Sequence, residues 1–274
     1  MSDLYVLLGD PVAHSVSPAM HAAAFHAHGL AAVYLARRVE AARLGEAVEG
    51  LRALGATGAN VTIPHKEAVR DHCAQLAPES EAVGAVNTLV RCDGGWTGHN
   101  TDIAGFLAPL ADRDLTGLDA TVLGAGGAAR AVVYALLTAF APSRLTLASR
   151  RPEQAEALAR DLTPHDTRGA LAVLPLPEAP SARLMVNATP LGMHGMDDLT
   201  PYPRADLGPG QIAYDLVYRP RATRFLREAT ATSAEAIGGL PMLVGQAAEA
   251  FRLWTGLEFP TEAAHRAALT AIAT

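Results

Sequence analysis

Lysine occurs once in this chain of 274 residues, at Lys66 in the stretch Asn60-Val61-Thr62-Ile63-Pro64-His65-Lys66, and every other member of its 22 Lys and Arg residues is arginine. On a solvated surface the two serve equally well, and a strong coding bias leaves a stray lysine by chance. Proton transfer separates them: a guanidinium keeps its proton, whereas an ammonium gives one up when its surroundings change. Other short segments carry polar side chains bounded by turns: Ser15-x-Ser17, Asn87 and Asp102, with Thr62 beside the lysine. Small hydroxyls suit a substrate carboxylate, and an amide with a carboxylate suits substrate hydroxyls. If Lys66 and Asp102 meet, they form an acid–base pair that relays the proton leaving a hydroxyl while hydride leaves the carbon that bears it. Each residue also has a structural reading: Ser17 as the N-cap before Pro18, Asn87 closing a strand turn, Asp102 capping a helix from Ile103.

A second cluster has phosphate chemistry. Ala120-Thr121-Val122-Leu123 reads as a strand entering Gly124-Ala125-Gly126-Gly127-Ala128-Ala129, with an apolar helix following to about Phe140. Glycines permit the tight turn and let the backbone approach a pyrophosphate at the helix N-terminus, and Ala129 satisfies the third, packing position. The next strand ends in Ala148-Ser149-Arg150-Arg151. A fold selective for NAD places an acid there to bind ribose hydroxyls. Here two guanidinium forks stand where a 2′-phosphate arrives, which argues for NADP. The alternative is a solvated arginine pair at a helix start.

These groups need elements to hold them. Leu4–Leu8 reads as a buried strand ended by Gly9-Asp10-Pro11, Ser17-Pro18 begins a helix, and Val33–Leu35 is a second strand. Leu44, Val48, Leu51 and Leu54 repeat at helical spacing. Ala59–Ile63 is a short strand broken by Pro64, Glu67–Leu76 reads as a helix, and Ala85–Arg91 as a strand. Further on, strands are expected at Arg144–Ala148, Ala170–Leu174, Leu184–Ala188 and Ile212–Leu216, with a helix at Ala155–Arg160. This alternation is what a doubly wound domain needs. Met242–Thr255 and Thr261–Ala273 read as helices whose domain the periodicity leaves open.

Hydrophobic content of 50%, charged content of 18% and a formal net charge of −6 describe an ordinary globular chain with scattered arginines. They exclude a nucleic-acid footprint and a polybasic membrane patch. Cys73 and Cys92 make no disulfide framework, the start of the chain lacks a signal-peptide pattern, and a cytoplasmic location is expected. Ten histidines include no pair at zinc-motif spacing, so no metal is expected.

Several separated motifs then carry a family resemblance: GDPVAHSVSPAMHAAAF at 9–25, NVTIPHK at 60–66, GAVNTL at 84–89, GHNTDIAGF at 98–106, GAGGAARA at 124–131, NATPLGM at 187–193, DLVYRP at 215–220 and GLPMLVGQAAEAF at 239–251. Nearly end to end, the chain resembles the NADP-dependent shikimate dehydrogenases. The resemblance implies an N-terminal α/β substrate-binding domain over 1–102, completed by C-terminal helices at 240–274. A Rossmann-like NADP-binding domain would span 103–239, with a cleft between the two.

It further implies that Ser15 and Ser17 hold the shikimate carboxylate, with Tyr218 near that end. Thr62, Lys66, Asn87, Asp102 and Gln246 would surround the ring hydroxyls, Lys66 and Asp102 being the catalytic pair. Gly124, Gly126, Gly127, Ala128, Ser149, Arg150, Arg151 and Thr189 would line the cofactor, with the nicotinamide near Met193 and Gly239. Where the family commonly has Asn-Arg-Thr, this chain has Ser149-Arg150-Arg151, which keeps the phosphate arginine and alters the adenosine side. The implied reaction is reversible NADPH-dependent reduction of 3-dehydroshikimate to shikimate, by a monomer or homodimer. Competing readings are a quinate-oxidising paralogue with broader hydroxy-acid or NAD use, and a non-catalytic nucleotide-sensing protein. The latter should have lost Lys66 or Asp102.

Overall fold

The computed structural model describes residues 2–203 and 206–273, so the ends of the two expected domain spans, 1 and 274, lie outside the described residues. The chain divides into two compact units, Met1–Gly105 together with Val244–Thr274, and Phe106–Leu243.

The first unit begins with β1 (Asp3–Gly9), α1 (Ser17–Ala27), β2 (Ala32–Arg38), α2 (Leu44–Ala53) and β3 (Gly58–Val61). It continues with β4 (Gln75–Leu76), α3 (Pro78–Val83), β5 (Thr88–Cys92), β6 (Gly95–His99) and the start of α4 (Asp102–Leu107). The strands form one sheet in the order β2-β1-β3-β5-β6-β4, in which β5 runs antiparallel to β3 and β6. Alternate residues of β1 serve opposite faces, as a pleated strand requires. Val6 and Leu8 pack with Leu44, Val48 and Leu51 of α2, whereas Tyr5 and Leu7 pack with Phe25 and Phe251.

Three expectations fail here for physical reasons. The helix read over 67–76 is a single 3-10 turn at Ala68–His72, after which Cys73 turns extended and Gln75–Leu76 pairs with β6. Edge pairing with a distant strand overrides a short helical pattern of which Val69 is the only buried apolar position in that turn. The strand read from Ala85 begins only at Thr88, because the Val86 and Asn87 amides bond to Lys66 and His99 carbonyls instead of a regular ladder. Ser17 is not an N-cap: Val16 occupies that position without a side-chain cap, and Ser17 lies inside the first turn.

The second unit contains β7 (Asp119–Leu123), α5 (Gly127–Ala135), β8 (Arg144–Ser149), α6 (Pro152–Leu162) and β9 (Leu171–Pro175). It continues with β10 (Leu184–Asn187), β11 (Ile212–Asp215), α7 (Arg224–Ala231) and β12 (Glu235–Ile237). All pairs are parallel, in the order β12-β11-β10-β7-β8-β9. Counted along the unit this is the 3-2-1-4-5-6 arrangement of a dinucleotide-binding domain, reversing direction between β7 and β10.

Two helices close the chain, α8 (Leu240–Thr255) and α9 (Thr261–Ala273), and from Val244 onward they count with the first unit. Aromatic docking supplies the reason that periodicity could not. The Trp254 indole N–H donates to the Leu89 carbonyl at 3.0 Å, and a Cβ at Gly58 would lie 2.3 Å from that indole nitrogen. Among the described residues no helix is long and apolar enough to cross a membrane.

Candidate active site

Topology explains why scattered polar segments of the first unit meet. β1 and β3 run parallel, so the Asp10–Ser17 and Thr62–Lys66 segments leave from the same edge of the sheet. Antiparallel β5 starts at that edge with Asn60 opposite Thr88, which puts Asn87 there too. β6 reverses again, with His99 opposite Thr88, so Asn100–Asp102 returns to the same edge. The first two segments touch closely: the Asp10 amide donates to the Ile63 carbonyl at 2.8 Å, and a Cβ on Gly9 would lie 2.3 Å from Thr62 Cγ2. Only glycine fits there.

At this edge Lys66 Nζ donates to Asp102 Oδ2 at 2.6 Å. The side chains are 13% and 6% exposed, so neither charge is free to hydrate fully and each depends on the other. Asn87 Nδ2 donates to the second carboxylate oxygen, Asp102 Oδ1, at 2.8 Å and to Thr101 Oγ1 at 3.0 Å. Its Oδ1 accepts from the Thr101 amide at 2.7 Å and from the Thr88 hydroxyl at 3.0 Å. The Asn87 amide is thus committed to holding Asp102, while the lysine retains donors beyond the one the aspartate uses.

Residues that sequence reasoning missed extend this network. The Tyr34 phenol donates to Asn60 Oδ1 at 2.7 Å, and Asn60 Nδ2 donates to Thr88 Oγ1 at 3.0 Å and to the Asn87 carbonyl at 3.2 Å. Burial pushes the Tyr34 phenol far above its ordinary range, and the neighbouring Ser17 hydroxyl opposes that shift. A polar chain therefore runs from Tyr34 through Asn60, Thr88 and Asn87 to Asp102 and Lys66. Its legible signal was Asn60, an amide in the otherwise apolar strand Gly58–Val61, which must find partners when buried.

The other first-unit residues take simpler places. Ser15 is half-buried and its hydroxyl accepts from the Ser17 amide at 3.3 Å. Thr62 is half-buried on its loop, and Gln246 is buried on α8. His65, beside the lysine, is buried and bonds to the Val39 carbonyl through Nε2 at 2.7 Å, a structural tie. No group of three or more His, Cys, Asp or Glu among the described residues is placed to hold a metal ion.

In the second unit the expected cofactor residues lie at one edge, on or beside the loops that follow the carboxyl ends of its parallel strands, with Gly127 and Ala128 beginning α5 and Ser149 ending β8. Gly124 adopts φ +110°, and a Cβ there would come within 3.0 Å of the Ala188 carbonyl oxygen and of Thr189 Cγ2. That contact ties the loop after β7 to the loop after β10, at the point where strand order reverses. A Cβ on Gly126, by contrast, would meet no protein atom within 4 Å, so the backbone at the start of α5 stays open to an approaching phosphate. Ala128 occupies the first turn of α5, and Ala129 is wholly buried, as close helix–strand packing demands.

Ser149 is buried and its hydroxyl accepts from the Arg151 amide at 3.1 Å, so it shapes the loop from inside. Arg150 and Arg151 are exposed, with guanidinium groups able to meet a phosphate. This donor set fits NADP: an open backbone cradle for the pyrophosphate and forks for the 2′-phosphate. Thr189 uses its hydroxyl internally, donating to Asn187 Oδ1 at 2.7 Å. Met193 is exposed and Tyr218 half-buried. Gly239 admits no side chain, since a Cβ would lie 2.2 Å from the Leu216 carbonyl oxygen.

Comparison with known proteins gives a consistent set of relatives. Residues 7–89 match the family model of the shikimate dehydrogenase substrate binding domain, and residues 239–269 match that of the shikimate 5′-dehydrogenase C-terminal domain. A shikimate dehydrogenase (NADP+) from Salinibacter ruber is 52% identical over 275 residues, covering 97% of this chain and 96% of that protein. A crystal structure of a shikimate dehydrogenase in complex with NADP+ superposes with a TM-score of 0.89 at 35% identity, covering 99% of this chain and 96% of that one. A shikimate 5-dehydrogenase from Thermus thermophilus in complex with NADP(H) and shikimate gives 0.86 at 41% identity, covering 98% and 99% respectively.

Proposed function

The chain belongs to the shikimate dehydrogenase (NADP+) family, and on that footing we propose that it catalyses the reversible NADPH-dependent reduction of 3-dehydroshikimate to shikimate, with Lys66 and Asp102 as its proton-handling pair. The observation that carries the residue assignment is the 2.6 Å contact between the chain's single lysine and a nearly buried aspartate.

NADPH, when bound, supplies hydride to the ketone carbon. The open backbone at Gly126, with Gly127 and Ala128 in the turn that follows, would hold its pyrophosphate, and Arg150 with Arg151 its 2′-phosphate. Gly124, Ser149, Thr189 and Gly239 shape the loops around it, and Met193 offers an apolar surface to the nicotinamide. Lys66 donates a proton from Nζ to the oxygen as negative charge develops on it, and recovers that proton in the reverse direction. Asp102 fixes Nζ through Oδ2 while Asn87 fixes Asp102 through Oδ1. Ser15 and Ser17 bind the substrate carboxylate, Thr62 and Gln246 bind ring hydroxyls, and Tyr218 is a further substrate-binding residue. Positioning and electrostatics then account for most of the rate.

Initial-rate kinetics on shikimate and quinate, each with NADP+ and NAD+, test this assignment. Shikimate with NADP+ should give the highest kcat/KM of the four combinations. A preference for quinate or for NAD+ would move the chain to the broader hydroxy-acid reading. We place the enzyme in the cytoplasm as a monomer or homodimer that binds neither nucleic acid nor membrane, a reading supported by its two free cysteines and scattered arginines. Sedimentation of the pure protein and fractionation of its host cells check both statements; a higher assembly or membrane recovery would contradict them.

A further inference from the structure

The geometry points to Asn187 and Asp215 as a strut that sets the cofactor-side loops, making both positioning residues for hydride transfer; the inference rests on the reaction proposed above. The two residues end β10 and β11 and stand directly opposite one another in the parallel register. Both are wholly buried. Asn187 Nδ2 donates to Asp215 Oδ1 at 2.9 Å across the two strands.

Each then spends its remaining hydrogen-bonding capacity on a loop. Asn187 Oδ1 accepts from the Thr189 amide at 2.9 Å and from the Thr189 hydroxyl at 2.7 Å. Its Nδ2 also donates to the Leu191 carbonyl at 3.0 Å, which closes the turn leading to Met193. Asp215 Oδ1 accepts from the Val217 amide at 3.0 Å, next to Tyr218. Asp215 Oδ2 accepts from the Thr223 hydroxyl at 2.6 Å, and that hydroxyl accepts from the Leu226 amide at 3.3 Å to cap α7. The Gly239 amide completes the set by donating to the Val217 carbonyl at 3.2 Å.

Paired apolar residues at these buried strand ends would avoid the cost of desolvating an amide and a carboxyl group. The polar pair achieves something they could not. It converts the ends of two rigid strands into fixed backbone positions at Thr189, Leu191 and Val217, the stretches that lead to Met193 and Tyr218. A hydride donor and acceptor must be held within a few tenths of an ångström of the reacting geometry, and loops do that only when rigid elements brace them.

The test combines kinetics, direct cofactor binding and amide exchange. Asp215→Asn and Asn187→Ala are compared with wild type by NADPH fluorescence titration and by turnover of 3-dehydroshikimate. Losing a hydrogen bond to a buried charged or fully used group corresponds to roughly 10–100-fold. Both variants should therefore bind NADPH about tenfold more weakly and show a lower kcat, with far-ultraviolet circular dichroism unchanged. A purely structural role would lower the folded fraction and leave the KM for NADPH in place. Variants that fold and keep wild-type NADPH affinity and kcat overturn the strut.

If both variants fail to fold, Thr223→Ser and Thr223→Val decide. Serine retains the donor to Asp215 and should behave as wild type, whereas valine should weaken NADPH binding; equal behaviour of the two overturns the inference. Hydrogen exchange on the wild type needs no variant. The Thr189 and Val217 amides should be as protected as those of β10 and β11, and exchange at free-loop rates would refute their bracing. If the wild type does not turn over 3-dehydroshikimate at all, the functional reading fails, and the exchange data still judge the strut by itself.

Discussion

Lys66 Nζ and Asp102 Oδ2 lie 2.6 Å apart although 36 residues separate them in the chain. One leaves the carboxyl end of β3 and the other opens α4, and the antiparallel excursion through β5 and β6 returns the chain to the same sheet edge. An ammonium held this way has a fixed direction for its remaining N–H bonds. A guanidinium in its place would keep the charge and lose the ability to transfer a proton.

Replacing Lys66 should therefore separate charge from proton transfer. Lys66→Ala is expected to lower kcat by about 10²–10⁴, the scale of a placed general acid. Lys66→Arg should remain as slow despite its charge. Substrate affinity, read by shikimate titration, should survive better than turnover in both. Near-normal turnover in either variant would remove Lys66 from the mechanism.

Cofactor selectivity should rest on the loop after β8. Arg150→Ala is expected to raise the KM for NADPH by roughly 10–100-fold, the size of a lost charge-assisted contact to phosphate. The KM for NADH should change little, since NADH has no 2′-phosphate. Equal loss with both cofactors would mean that Arg150 shapes the loop rather than reads the phosphate.

His21 should make the first unit sensitive to acid. It is wholly buried, stacks on Tyr34 with ring centroids 4.4 Å apart, and neither ring nitrogen has a hydrogen-bond partner among the described residues. Burial lowers its pKa from 6.5 to about 3. Below pH 6.5 the unfolded chain binds a proton that the native state refuses. This contribution is thus complete above that value and declines as pH falls towards 3, by on the order of 5 kcal/mol in total. His21→Phe should flatten that part of the stability profile in urea titrations; an unchanged profile would mean that the imidazole gains a proton without leaving its site.

Asp215 should act with the opposite sign. Burial outweighs its three donors and raises its pKa from 3.8 to about 6. Between those values the native state binds the extra proton, so its contribution to stability is greatest in acid and declines as pH rises towards 6. Relative to Asp215→Asn, wild-type stability should fall by on the order of 2–3 kcal/mol across that range. A difference independent of pH would show that the carboxyl does not titrate there.

The sequence made some of this legible because the physics was local. Buried parallel strands such as Leu4–Leu8 and Ala120–Leu123 are continuous apolar runs, and the Gly124–Ala129 loop states its turn in residue types. Ser15, Ser17, Thr62, Asn87 and Asp102 were readable as polar groups in short segments bounded by turns, although Ser17 and Asp102 sit in the first turns of α1 and α4. Their convergence was not readable, because it depends on which strands reverse. Glu67–Leu76 misled for the same reason: β4 exists only through β6. Tyr34 and Thr88 were hidden by ordinary strand alternation, and Ser17 looked like a cap because proline follows it. The Asn187–Asp215 contact is set by the parallel pairing of two strands, which no spacing along the chain reveals.

The most direct measurement is absorbance at the reduced-nicotinamide band after mixing the protein with shikimate and NADP+, run in parallel with Lys66→Ala. The account predicts steady growth of the band with the wild-type protein and a rate lower by orders of magnitude with the variant. No growth with the wild type, or equal growth with both, would contradict it.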